Sequence, residues 1–383
     1  MLAVSLDRLS RQALDTLSAK ALSASPGLVE ADSSQLSSSA TAAQTQAEDA
    51  ARSKAAGLSA ADLSSTLSPE LKALLDFIAR VKEQAKASQA EASVISTLKT
   101  SALQQSEALV KRDYGLLGDG ATLKVQLDSD MGNALASVSY RYDASGKMAD
   151  ETLHLNKRQF LPDASANGTN GHVIQNDRIV AHEITHAVMG RNMDWAEVPT
   201  WFREGSAEYL AGGAERAHLA LDGMSASELG VLAAEAWTGT SEQYAGAYLA
   251  VRYLDATTQT GGGLKAIMAR LKAGDDLDAA ITKVSGGTYA GASGFLDAWQ
   301  AQAASFVDSI DLSGRTPGAI GGATSGAQVV SDAKRNSNQP MAGFRVIWPG
   351  AGSGWAYALS AYRQAEGSPG EGASQAGGLS ITA

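Results

Sequence analysis

The chain of 383 residues contains no cysteine. Disulfides and thiolate metal sites are therefore both excluded, whereas the absence itself suits an exported protein and a cytosolic one equally. No apolar run approaches the 18 to 20 residues of a membrane-spanning helix, so no membrane span is expected. A basic excess is missing too: 31 Lys and Arg stand against 41 Asp and Glu, for a net charge of −10. Phosphate contacts need concentrated Lys and Arg, so nucleic acid is not an expected partner. The opening Met-Leu-Ala-Val gives way to Asp7 and Arg8, which is not the apolar middle of a secretory signal. Secretion, if it occurs, is expected by a route without a standard signal peptide; the alternative is the cytoplasm.

Aromatic residues are absent from the first 66 positions, which are dominated by Ser, Ala, Gln and Thr. Such a stretch buries too little apolar surface to offset its ordering entropy. Residues 1–66 are accordingly read as a low-complexity N-terminal region, and 313–383 as a Gly/Ser-rich tail. Between them, Ser68-Pro69-Glu70 is a helix start, with a capping residue before proline. Leu71, Leu74, Leu75, Ile78 and Val81 then share one face, and helical pattern recurs to about Arg112. This gives a helical arm over 67–114.

The pattern changes at Gly115. Alternating runs at 121–127 and 136–142, followed by 151–156, predict three strands separated by turns. A loop of Asp, Asn and Gly follows at Asp163–Gly171. Those oxygens suit calcium, but the same residues are plain turn formers, and calcium stays unassigned. From Asp177 the chain is expected to be helical to about Val307. A small antiparallel or mixed sheet followed by helices over 115–312 is an α+β plan.

The chemistry concentrates in His182-Glu183-Ile184-Thr185-His186, an HExxH pattern on a helix expected to end near Gly190 and Arg191. Histidines four apart lie on one helix face and can reach one cation, while Glu183 can face a water beside it. A catalytic zinc ion needs a third protein ligand. The helix read from Trp201-Phe-Arg-Glu204-Gly-Ser-Ala-Glu208-Tyr offers Glu204. Glu208, one turn on, can accept a hydrogen bond from the far nitrogen of a ligand histidine. A Glu pair at this spacing is ordinarily a solvated face; following HExxH by 18 residues, it reads as part of the site. His154, His172 and His218 have no partner at ligand spacing and read as surface or packed residues.

These motifs, HEITH with Gly190-Arg191, then WFREGSAEY with Ala211-Gly, resemble the gluzincin metallopeptidases. They are similar in particular to the catalytic subdomain of bacterial collagenases and to flagellinolysins, peptidase domains inserted in the variable region of some flagellins. The resemblance spans about residues 115–330 and is strongest at the zinc motifs. It implies a gluzincin-type domain, one catalytic zinc ion on His182, His186 and Glu204, and a protein or peptide substrate cut within the chain. It implies Tyr244 as hydrogen-bond donor to the oxyanion, with Tyr248 as rival, and an edge strand within 151–155 beside the cleft, able to bind extended substrate. It also implies association with the flagellar filament or its export apparatus, although neither terminus resembles the flagellin core helices. Two other readings stand beside the endopeptidase. One is a structural protein stapled by zinc; the other is an aminopeptidase of the same fold, for which no amine-binding Gly-x-Met-Glu-Asn motif precedes HExxH.

Overall fold

The computed structural model describes residues 69–161, 174–312, 340–349 and 378–382. The chain divides into two compact units, Met1–Lys86 and Ala87–Ala383. Helix α1 (Pro69–Thr97) begins at the proline that the sequence marks. It runs through a π turn at Leu98–Ala102 into α2 (Leu103–Tyr114). Gly115, left-handed at φ 69°, ends α2, and its N–H returns to the Lys111 carbonyl. Leu103, Leu109, Val110 and Tyr114 are buried. The Tyr114 hydroxyl donates to the Ser206 carbonyl at 2.7 Å, tying α2 to the later helices.

Strands β1 (Ala121–Asp128), β2 (Ala134–Tyr142) and β3 (Met148–Asn156) follow. Two further strands, β4 (Phe344–Ile347) and β5 (Gly378–Thr382), complete a five-stranded mixed sheet in the order β4-β1-β3-β2-β5. β1 runs parallel to β3 and β4, whereas β2 is antiparallel to β3 and β5. The expectation of an edge strand within 151–155 is overturned. β3 is the central strand, paired through Thr152–Asn156 to β1 and through Met148–Leu155 to β2. Its Leu153 and Leu155 are fully buried, the pattern of a strand enclosed in a core rather than exposed along a cleft. The physical reason is that β1 pairs in parallel with β3 instead of forming a hairpin with β2, which inserts β3 between two strands that are neighbours in sequence; both edges are then formed by segments of the C-terminal region. Pairing on the far side of β1 and β2 comes from residues some 200 positions later, beyond the reach of local pattern.

The helical part comprises a short α3 (Lys157–Phe160), α4 (Asn176–Asn192), α5 (Thr200–Ala211), α6 (Ala214–Leu221) and α7 (Ala226–Leu232). Then come α8 (Ser241–Thr258), α9 (Gly263–Lys272), α10 (Leu277–Val284) and α11 (Gly291–Ser309). The fold is mixed α+β and mostly helical. No helix among the described residues is long and apolar enough to cross a membrane. In α4 every residue except Arg191 is buried, so this is a core helix enclosed on all sides. It packs on β2 and β3 and against α5. Two glycines permit the close approach. A methyl group on Gly190 would collide with the Met148 side chain on β3. One on Gly205 would collide with the Ala247 carbonyl, so α5 and α8 touch backbone to backbone.

Candidate metal centre

His182 and His186, one turn apart on α4, present their Nε2 atoms to each other at 2.9 Å. The spacing of four does this because 3.6 residues per turn stacks the two rings on one face. The left-handed Gly212 ends α5, and Glu204 projects from that helix towards both rings. Glu204 Oε2 lies 3.1 Å from His182 Nε2 and 3.2 Å from His186 Nε2. The three donors form a nearly equilateral triangle. A tetrahedral ion with bonds of about 2.0–2.1 Å sets its donors roughly 3.3 Å apart, so the triangle fits such an ion with little adjustment. His182, His186 and Glu204 are a buried group that could hold a metal ion.

Charge points the same way. Burial alone would raise the Glu204 carboxyl, yet His186 and His182 beside it bring it down to about 2. Burial likewise opposes a charged His182, but Glu204 and Glu208 overcome it and push its pKa up to about 10. His186 goes the other way, held below its ordinary value by burial. Glu208 lies 3.3 Å from His182 Nδ1, on the far side of the ring from the triangle. A carboxylate there fixes the tautomer that leaves Nε2 free for a metal. Glu183 is fully buried next to His182 in the chain. Glu204 and Glu208 thus set two carboxylates on the His182 ring, one at each nitrogen, a negative charge that suits a divalent cation.

Tyr244 stands in the first turns of α8, its ring 6.1 Å from that of His182. Burial, then Glu204, Glu183 and Glu208, push its pKa far above the ordinary value, so the phenol keeps its proton. Tyr248 is elsewhere: its hydroxyl accepts from Arg252 Nη1 at 2.9 Å, and its ring packs against Tyr209. Of the two tyrosines raised by the sequence, Tyr244 is the one beside the histidines.

Of the other histidines, His154 and His218 lie apart from this cluster. His154 bridges Asp128, at 2.6 Å from Nδ1, and Ser139, at 2.7 Å from Nε2. These are cross-strand polar contacts on the half-exposed face of the sheet. His218 is exposed on α6. His172 and the Asp163–Gly171 loop lie outside the described residues. Sequence reasoning missed Trp195, whose ring makes an edge-to-face contact with His186 at 5.7 Å and has the Arg203 guanidinium over it at 5.1 Å. It also missed Arg216, which lies 3.6 Å from Glu208 Oε2. The Trp in Asp194-Trp195 was visible, but nothing in its spacing tied it to the histidines.

No family model, curated protein or solved structure matches the chain. The site therefore rests on its own geometry and on the motifs that build it.

Proposed function

We propose that the chain is a zinc-dependent endopeptidase acting on protein or peptide substrates, a collagenase- and flagellinolysin-like gluzincin. The observation that carries this reading is a buried three-donor group, with the fully buried Glu183 next to His182 in the chain and the Tyr244 ring 6.1 Å from that of His182. A metal that only staples a fold has no use for an extra carboxylate and a protonated phenol around its donors.

His182, His186 and Glu204 would hold the ion, and Glu208 would orient His182. Zinc there supplies Lewis acidity towards the scissile carbonyl and makes water a better nucleophile. Glu183 accepts the proton of the attacking water and delivers it to the departing amine nitrogen. Tyr244 donates a hydrogen bond to the oxygen on which negative charge develops. In a site this dry each of these contacts acts through a low dielectric, which strengthens it. The resemblance supports export without a standard signal peptide, and association with the flagellar filament or its export apparatus.

The depth of the site favours a second reading. His182, Glu183, His186 and Glu204 are 0–1% exposed, as the donors of a structural zinc staple would be. Digestion of a peptide library with and without a chelator separates the two. The endopeptidase reading expects cleavage within peptides, lost on chelation and restored by zinc. Zinc-loaded protein that cuts nothing would leave the staple.

A further inference from the structure

We propose that Arg216 is a positioning residue for this centre, one cation that sets both the carboxylate behind His182 and the tyrosine in front of it. The inference rests on the metallopeptidase reading above for its catalytic half; its metal-binding half stands on geometry alone.

Arg216 projects from α6 and is 4% exposed. Its guanidinium meets three groups on two helices. Nε faces Glu208 Oε2 on α5 at 3.6 Å, an ion pair rather than a hydrogen bond. Nη1 donates to the Ser241 hydroxyl, at the first residue of α8, at 3.1 Å. The guanidinium carbon stands 4.9 Å from the centre of the Tyr244 ring. A planar fork with several donors can make an ion pair, a hydrogen bond and a ring contact at once, whereas the compact ammonium of lysine cannot.

The backbone is arranged to deliver this group. Gly212, left-handed at φ 97°, ends α5 and turns the chain back over it. A methyl group on Gly213 would lie 2.8 Å from Glu208 Oε2, so a side-chain-free residue lets the turn close onto the carboxylate. Three residues later Arg216 reaches the same carboxylate. The start of α8 is fixed independently: Gln243 Oε1 accepts from the Thr238 and Gly239 N–H groups, and the Thr240 hydroxyl caps the helix by accepting from Gln243 N–H. Arg216 therefore closes a chain of contacts from His182 through Glu208 to Ser241 and Tyr244. Glu208 is buried with the acidic Glu204 and Glu215 near it, and Arg216 and His182 are the groups that favour its negative charge. Arg178 does not replace Arg216, because its Nη1 is already bound to Glu215 and to the Gly212 carbonyl.

The test compares full-length wild type with Arg216→Met and Arg216→Lys, with folding checked by circular dichroism. Zinc affinity is read by competition with a chromogenic chelator, and kcat and KM on a cleaved peptide. Partners that orient ligands typically change metal affinity or activity by about 10- to 100-fold. Arg216→Met is expected to weaken zinc binding roughly tenfold or more and to lower kcat while KM holds. Arg216→Lys restores a charge near Glu208, so it should recover much of the zinc affinity but not kcat, lacking the fork that reaches Ser241 and Tyr244. A folded Arg216→Met protein with zinc affinity and kcat within twofold of wild type would overturn the inference. Should Arg216→Met not fold, an Arg216→Lys protein with wild-type kcat would overturn it equally. If wild type binds zinc but cuts nothing, the peptidase reading fails, and the affinity comparison alone decides whether Arg216 positions the site.

Discussion

Glu151, at the start of the central strand, gives the chain a pH dependence that can be worked out in advance. Its side chain is 1% exposed, and neither carboxyl oxygen has a hydrogen-bond partner. Burial pushes its pKa from 4.5 up to about 9; Arg191 pulls it down somewhat and Asp119 pushes it up. Folded, Glu151 therefore keeps its proton at neutral pH; unfolded, it has lost that proton above about pH 4.5. Through this group the folded state binds more protons throughout that window, so the Glu151 contribution to stability falls as pH rises from about 4.5 to about 9 and then levels off. Each unit is worth up to about 1.4 kcal/mol, so pH 5 to pH 8 costs as much as about 4 kcal/mol. Against a total of roughly 5–15 kcal/mol for a domain, that loss is large. Glu151→Gln has the same shape without the titration. Urea unfolding of both proteins at pH 5 and pH 8 isolates this one group, because every other titration is common to both. The stability difference in favour of Glu151→Gln should grow by a few kcal/mol between the two pH values. Equal slopes would refute the reasoning and mean that Glu151 is ionised in the fold.

Three further outcomes are expected. Tyr244→Phe keeps the ring against His182 and removes only the donor, so kcat should fall by about two orders of magnitude with KM little changed, measured on a peptide substrate. Glu204→Ala should bind zinc far more weakly; a full ion per chain in dialysed protein would place the third ligand elsewhere. Gly205→Ala drives a methyl group into the Ala247 carbonyl and should destabilise the fold by about 1–3 kcal/mol in chemical denaturation.

How far the sequence could be read depended on the range of the interaction concerned. The helix at 69, the strands near 121, 136 and 151, and the helices that carry His182 and Glu204 follow from local periodicity, caps and glycines. The meeting of His182, His186 and Glu204 was legible because both halves sit on helices at fixed spacings. The sheet order was not. β4 and β5 lie in a stretch that reads as tail by composition, and strand pairing across 200 residues leaves no local trace. The edge position of β3 was implied by the resemblance alone, and β3 lies at the centre because β1 pairs with it rather than with β2. Arg216 escaped for a related reason. It is three residues beyond the two glycines that end α5, and only the turn brings it back to Glu208. Trp195 reaches His186 through the loop after α4 in the same way.

The measurement that bears most directly on the central claim is zinc content and turnover in Glu183→Gln. The substitution keeps the size of a fully buried side chain next to His182 but removes its ability to take a proton. The account predicts one zinc ion per chain, as in wild type, with peptide cleavage gone. A zinc-loaded Glu183→Gln protein that still cleaves peptides at the wild-type rate would contradict it.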